Sequence, residues 1–336
     1  MYEGVVIKME WRMQMNKENM WDWVKQANSI AIAGHVRPDG DCIGSCMALY
    51  QYIKKEYPNK NTKVYFENVP ESFQYLFEKE EMNIGFENME EAELFFSIDC
   101  SDLERLGVAA KLFEKAEHTI CIDHHISNTG YAKLNYIAPT ASSAAEVVFE
   151  LLEEEKISKE VATSIYLGIV HDSGVFKYSN VSRRTMEIAG ILVEKGVETT
   201  SLIDNTFYHK TYIQNQILGR VLLESILVLD GKGIVSCVTK KMMDFYGCVT
   251  SDLDGIVEQL RITDGVEVAI FLHELEPLSY KVSMRSKDVV DVSKIAAQFG
   301  GGGHIKAAGC TMTGTFHDII NSILELVDLQ MKEVGL

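Results

Sequence analysis

The chain has 336 residues, of which 46% are hydrophobic and 24% are charged, as is usual for folded globular proteins. This length favours two domains of roughly 150 residues each. The net charge of −17 opposes attraction to a long polyanion, so we do not expect long duplex DNA or RNA as a ligand. A small anion bound through cations is still compatible with this charge.

The sequence gives no sign of a membrane span or a secretion signal. Apolar runs such as residues 164–170 are far shorter than the roughly 20 residues that cross a bilayer. Residues 1–20 lack the apolar core and the cleavage site of a signal peptide, and we assign this N-terminal extension no function. The seven cysteines have no paired zinc-binding spacing and are typical of reduced thiols, so we expect a cytoplasmic protein.

The first half of the chain alternates apolar runs with amphipathic stretches, which predicts an α/β domain with a mostly parallel sheet flanked by helices. Buried strands are predicted at residues 29–34, 63–66, 94–98 and 119–122. Helical spacing of apolar residues predicts helices at residues 44–56, 142–155 and 159–171. Ligands of such sheets bind beyond the carboxyl ends of the strands, so the residues after each run are candidate site residues.

The second half of the chain predicts a smaller α/β domain. Residues 182–227 have helical patterns without a strand signal, and we divide the chain into domains at residues 17–195 and 228–336, joined by a helical connector at 196–227. Strands are predicted at residues 233–238, 266–272 and 280–285, followed by a helix at 292–299 and a glycine-rich turn. We expect the active-site cleft to lie between these two lobes.

Aspartate and histidine residues follow several of the predicted elements. A loop after the first strand carries His35, Asp39 and Asp41 within seven residues. Asp99 follows the strand at 94–98, and Asp172 lies at the end of a predicted helix. Each aspartate, taken alone, is explained at least as well by helix capping.

The triplet Asp123-His124-His125 follows the strand at 119–122 and is harder to explain by folding alone. Adjacent imidazoles at a strand end can divide two tasks, metal binding and contact with a substrate phosphate. Four element ends in the first half of the chain each carry Asp or His, and together they favour a metal site over helix capping. Oxygen and nitrogen ligands without thiolates suit Mn²⁺ or Mg²⁺.

A run of four glycines at residues 300–303 ends at His304 in the second half. Glycines let the backbone approach a ligand closely and present N–H groups to an anion. A simple tight turn is the alternative, but Arg285 in the same domain favours anion binding. Lys306 and Arg261 are better explained as solvated surface charges.

These motifs together resemble the DHH phosphoesterase superfamily with its C-terminal DHH-associated domain. The first-domain motifs are the triplet 123–125, the loop 35–41, Asp99 and Asp172. The second-domain signature is the segment 300–304, followed by Ala307-Ala308-Gly309 and preceded by Met284-Arg285-Ser286. The resemblance spans the chain from about residue 17, and it is strongest to the branch of oligoribonucleases and 3′-phosphoadenosine 5′-phosphate phosphatases called nanoRNases.

This resemblance implies two bound divalent cations, with manganese favoured over magnesium. The first ion would be held by His35, Asp39 and Asp99. The second would be held by Asp41, Asp99, His124 and Asp172, so that Asp99 bridges the pair. His125 would contact the substrate phosphate while Asp123 supports the cluster. The implied substrate contacts of the second domain are Arg285, Ser286, Gly302, Gly303 and His304.

The implied activity is two-metal hydrolysis of short RNA to 5′-mononucleotides, together with removal of the 3′-phosphate from phosphoadenosine phosphate. A phosphodiesterase of linear or cyclic dinucleotides is an alternative with the same two domains. The acidity of the chain disfavours a RecJ-like exonuclease, which needs a basic path for a longer strand. The glycine-rich signature disfavours a pyrophosphatase, and the complete ligand set disfavours a non-catalytic nucleotide sensor. The sequence leaves open whether the protein is a monomer or a homodimer.

Overall fold

The computed structural model describes residues 17–78, 81–86 and 89–335. Most of the predicted N-terminal extension lies outside the described residues. The chain divides into two compact units, Met1–His209 and Lys210–Leu336. This boundary falls within the segment predicted as a connector.

The first unit is built on a parallel sheet, which in the described residues has the strand order β3-β2-β1-β4-β5-β6. The strands are β1 (Ser29–Ala33), β2 (Asn61–Phe66), β3 (Met82–Ile84), β4 (Leu94–Ile98), β5 (His118–Asp123) and β6 (Leu134–Ile137). The α-helices are α1 (Lys17–Gln26), α2 (Gly40–Glu56), α3 (Glu71–Gln74), α4 (Ala110–Lys115), α5 (Ala144–Leu151), α6 (Lys159–Asp172), α7 (Arg183–Glu194) and α8 (Thr199–Asn205). The predicted parallel α/β fold is confirmed.

Helices cover both faces of this sheet. Successive side chains of a strand point to opposite faces, so each strand contributes to both cores. Phe96 of β4 packs in the core that contains Ile43 of α2 and Ile165 of α6. Its neighbour Phe95 packs in the opposite core, with Phe113 of α4. The central strands are therefore buried, mostly apolar runs, as is usual for parallel strands.

The second unit contains a mixed sheet with the order β11-β12-β10-β9-β8-β7 among the described residues. Its strands are β7 (Ile226–Val228), β8 (Gly233–Val238), β9 (Val268–Glu276), β10 (Ser279–Ser286), β11 (Gly302–His304) and β12 (Ala307–Thr313). Its α-helices are α9 (Tyr212–Leu223), α10 (Lys240–Tyr246), α11 (Ile256–Arg261), α12 (Val292–Gln298) and α13 (Phe316–Glu333). Strands β8 and β9 are parallel, and the other pairs are antiparallel.

The glycine-rich segment differs from the turn that the sequence predicts. Gly302–His304 form the exposed edge strand β11, which pairs with β12. The glycines make this pairing close, because a Cβ on Gly303 would lie 2.5 Å from the carbonyl oxygen of Ala307. The reversal of the chain comes after His304, so these residues belong to a hairpin rather than to an isolated turn.

None of the helices in the described ranges is both long enough and apolar enough to cross a bilayer.

Candidate active site

The six residues predicted as metal ligands lie in one cluster at the carboxyl ends of the strands. The Nε2 atom of His124 lies 3.5 Å from Asp172 Oδ2, 3.6 Å from Asp99 Oδ1 and 3.9 Å from Asp41 Oδ2. The Nε2 atom of His35 lies 3.4 Å from Asp99 Oδ2 and 3.8 Å from Asp39 Oδ1. Asp99 therefore faces His35 with its Oδ2 atom, and its Oδ1 atom lies near both His124 and His125, which is 3.7 Å away.

Asp99 occupies a strained position directly after β4. Its φ angle of 57° is left-handed, a conformation that costs free energy for a residue with a side chain. Its backbone N–H donates to Ile122 O of the neighbouring β5 at 2.9 Å, which holds the strained turn in place. The carboxylate is buried, and its Oδ1 atom has no hydrogen-bond partner. A buried carboxylate oxygen without a partner is costly, and a cation would satisfy it.

The loop between β1 and α2 gives Asp39 two tasks. Its Oδ1 atom caps α2 by accepting from the backbone N–H groups of Asp41 and Cys42, at 3.0 and 3.1 Å. The same atom lies at 3.8 Å from the His35 imidazole. Asp39 therefore both caps α2 and lies in the cluster of predicted ligands.

Asp41 is held by the N-terminus of α5. Its Oδ2 atom accepts from Ala144 N at 2.7 Å and its Oδ1 atom from Ala145 N at 3.0 Å. The first N–H groups of a helix are good donors to a carboxylate, because they have no partner within the helix. These contacts fix the orientation of Asp41, although the two partners are more than 100 residues away in the sequence.

The three residues of the 123–125 triplet make different contacts. His124 faces the carboxylates of Asp41, Asp99 and Asp172 with its Nε2 atom. Asp123 is buried, and its Oδ1 atom lies 2.8 Å from Nδ1 of the half-exposed His125. Its Oδ2 atom accepts from Asn128 Nδ2 at 2.6 Å. Asp123 thus orients the His125 ring, as carboxylates do for catalytic imidazoles.

The electrostatics of the cluster favour added positive charge. Burial raises the pKa values of Asp41, Asp99 and Asp172, and the neighbouring carboxylates reinforce this increase. Burial lowers the pKa of His35, but the nearby Asp39 and Asp99 outweigh it and raise the value to about 11. The carboxylates therefore attract a proton or another cation. Buried oxygen and nitrogen ligand atoms that converge in this way fit divalent metal ions.

The predicted substrate contacts of the second unit lie on β10 and β11. Arg285 is partly buried, and its Nη1 atom donates to Met284 O at 3.0 Å. Ser286 is buried, and its hydroxyl donates to Val290 O at 2.6 Å within the same unit. Gly302, Gly303 and His304 are exposed on the edge strand. Their role in binding substrate stays a prediction.

Three features of the site were not found from the sequence. Asn128 holds Asp123, and the amides of Ala144 and Ala145 hold Asp41. The Cys42 thiol is buried and forms a potential ligand group with His35 and Asp99. A cysteine beside Asp41 in the ligand-rich loop was the available signal, whereas the other contacts join distant parts of the chain.

Comparison with known families accounts for both units. Residues 29–169 match the model of the DHH family, N-terminal domain, and residues 230–333 match that of the DHHA1 domain. The bifunctional oligoribonuclease and PAP phosphatase NrnA of Thermus thermophilus is 30% identical over 312 residues, covering 91% of each chain. The protein of the same name from Bacillus subtilis is 26% identical over 291 residues, covering 85% of this chain and 90% of the relative.

A solved structure supports the same fold. The crystal structure of an exopolyphosphatase-related protein from Bacteroides fragilis has a TM-score of 0.85 and 25% sequence identity to this chain. The similarity covers 96% of this chain and 97% of that one.

Proposed function

Because the chain belongs to the DHH family of phosphoesterases, we propose that it hydrolyses short RNA oligonucleotides to 5′-mononucleotides and removes the 3′-phosphate of phosphoadenosine phosphate. The names of two relatives that align along most of their length carry both activities. The single structural observation that supports hydrolysis best is the buried cluster around the unpartnered Oδ1 atom of Asp99. The acidity of the chain supports a short substrate over a long one.

In this proposal, two divalent cations, preferably Mn²⁺, are held by the six clustered side chains. His35, Asp39 and Asp99 would hold one ion, and Asp41, Asp99, His124 and Asp172 would hold the other. Bound cations would offset the negative charge of the phosphate and acidify a water molecule for attack. Asp99, buried between two imidazoles and without a partner for Oδ1, is suited to serve both ions.

His125 would position the phosphate. Its Nδ1 atom is engaged by Asp123, so Nε2 is the nitrogen left for substrate. The hydrogen bond to Asp123 raises the pKa of His125, although burial opposes this increase. The raised pKa favours the protonated imidazole, which can donate a hydrogen bond to a phosphate oxygen. Asp123 acts through His125 and does not itself touch substrate in this account.

The second unit would supply a further set of substrate contacts. Arg285 offers a guanidinium whose fork of N–H donors suits phosphate. The exposed backbone of Gly302 and Gly303, together with the exposed His304 side chain, offers further donors. We include Ser286 among the proposed substrate contacts, although its hydroxyl already donates a hydrogen bond to Val290 O.

We further propose that the protein works in a reducing compartment such as the cytoplasm. All seven cysteines are free thiols, and six of them are buried. Unpaired cysteines in these numbers suit a reducing environment.

A hydrolysis assay with Mn²⁺ tests the proposed substrate. The purified full chain would be given a short 5′-labelled RNA, a longer single strand, phosphoadenosine phosphate and pyrophosphate at equal concentrations. We expect rapid release of mononucleotides from the short RNA and of phosphate from phosphoadenosine phosphate. Preference for the longer strand or for pyrophosphate would overturn the substrate assignment while leaving the metal site untouched.

A further inference from the structure

A buried thiol lies among the proposed ligands of the first ion. The Cys42 Sγ atom, a ring nitrogen of His35 and a carboxylate oxygen of Asp99 all lie within 4.8 Å of one another. Each of the three residues is at least nine-tenths buried, with exposed fractions of 0%, 6% and 3%. The three belong to separate parts of the fold, since Cys42 lies on α2, His35 after β1 and Asp99 after β4.

The backbone leaves room for this thiol at the cluster. A Cβ on Gly34 would lie only 2.2 Å from Cys42 Sγ, so any other residue at position 34 would displace the sulfur. The thiol has a weak contact with the carbonyl oxygen of His35 at 3.9 Å. Glycine at position 34 therefore allows the sulfur to lie beside the two ligand residues.

The His35 ring is arranged to offer Nε2 to a metal. Its Nδ1 atom lies 2.9 Å from the carbonyl oxygen of Val36, a contact that places the proton on Nδ1. Nε2 is then the ring nitrogen that faces Asp99 Oδ2, at 3.4 Å, and a cation that binds there takes the place of its proton. One imidazole nitrogen, one carboxylate oxygen and one sulfur are the three ligand types that Zn²⁺ takes from proteins.

We propose that Cys42, His35 and Asp99 form a binding site for a thiophilic divalent cation such as Zn²⁺, Co²⁺ or Cd²⁺. The cation binds through a metal–sulfur bond as the thiol proton passes to solvent. Mn²⁺ has little affinity for thiolate and engages the oxygen and nitrogen ligands alone. The thiol thus gives one site two binding modes and makes thiophilic cations strong competitors of the cation used for hydrolysis. This inference rests on the proposed assignment of His35 and Asp99 as metal ligands.

Cobalt titration of the metal-free full chain tests the proposal without measuring activity. A sulfur-to-cobalt charge-transfer band in the near ultraviolet reports a metal–thiolate bond, whereas the visible cobalt bands report binding by any ligand. We expect both in the wild type. The variant Cys42→Ser should keep the visible bands, lose the charge-transfer band and bind Zn²⁺ about tenfold or more weakly, with Mn²⁺ affinity unchanged.

Cys46 provides a matched control, because it is a buried thiol one turn along α2 that joins no ligand group in the described ranges. Cys46→Ser should keep the charge-transfer band. Cadmium NMR of the wild type gives a second measurement that needs no variant, and a resonance in the range of sulfur-bound cadmium is expected.

Cobalt binding without a charge-transfer band, or a band that survives in Cys42→Ser, would overturn the role of Cys42 alone. Absence of cobalt binding would overturn the assignment of His35 and Asp99 as well.

Discussion

Gly44 of α2 and Gly168 of α6 bring the backbones of two helices that carry proposed metal ligands into direct contact. A Cβ on Gly44 would lie 2.8 Å from the backbone nitrogen of Gly168. A Cβ on Gly168 would lie 2.6 Å from Asp41 Oδ1. The close crossing of these helices therefore sets the distance between Asp41 at the start of α2 and Asp172 at the end of α6.

The variant Gly168→Ala is expected to disturb this crossing. The added methyl group displaces Asp41 and costs about 1–3 kcal/mol of unfolding free energy, as overpacking does in a close-packed interior. Mn²⁺ affinity and turnover should fall together. Gly190→Ala on α7 is the matched control, since its Cβ meets no atom within 4 Å and alanine favours a helix. Wild-type Mn²⁺ affinity in Gly168→Ala, measured by calorimetry, would contradict the account.

The variant Asp123→Asn tests the orientation of His125. The change removes the negative charge of the acceptor and leaves an amide N–H₂ group facing the donor Asn128 Nδ2, so turnover should fall about 10–100-fold. Mn²⁺ stoichiometry should be unchanged, because Asp123 is not a proposed ligand. Asp22→Asn on the exposed face of α1 makes the same chemical change and should have no effect. Wild-type turnover in Asp123→Asn would refute the role given to this pair.

The second unit offers a test of stability against pH. His273 of β9 is buried, its Nε2 atom has no hydrogen-bond partner, and it pairs with Lys281 across the sheet. Burial, reinforced by Lys281, lowers its pKa below the usual 6.5, so the unfolded chain binds the proton more readily. The contribution of His273 to stability is complete above about pH 6.5 and is lost as the pH falls towards its folded pKa.

Urea denaturation between pH 7 and pH 5 measures this effect. His273→Leu should reduce the loss of unfolding free energy over that range. His317→Leu, a matched change at an exposed position of α13, should leave it unaltered. Equal pH dependence in His273→Leu and the wild type would contradict the assignment.

The variant Arg285→Ala tests the second set of substrate contacts. Loss of a charged hydrogen bond to phosphate should raise KM for short RNA about tenfold or more, with Mn²⁺ affinity unchanged. Arg220→Ala serves as the control, because it removes an arginine of α9 that is already paired with Glu224, the residue after this helix. An unchanged KM in Arg285→Ala would remove this residue from the substrate contacts.

The sequence predicted the parts of the site that depend on local patterns. Asp99 and the 123–125 triplet could be placed because a buried parallel strand is a continuous apolar run, so the polar residue after it marks the sheet edge. The loop carrying His35 and Asp41 could be placed in the same way.

The parts that depend on tertiary packing could not be predicted. The amides that hold Asp41 belong to α5, about 100 residues away, and Asn128 reaches Asp123 only through the path of its loop. Cys42 stands beside Asp41 in the sequence, but only its packing against Gly34 places the sulfur at the cluster. The edge strand β11 was missed because glycines predict turns, and its pairing with β12 is set by the rest of the sheet.

The most direct test of the central claim measures Mn²⁺ binding and hydrolysis of short RNA together, in the wild type and in Asp99→Asn. We expect two Mn²⁺ ions per wild-type chain, with turnover appearing only when both are bound. In Asp99→Asn, the loss of the shared carboxylate should weaken both ions and abolish turnover. Wild-type Mn²⁺ binding with wild-type turnover in this variant would contradict the claim that Asp99 joins two metal sites into one catalytic centre.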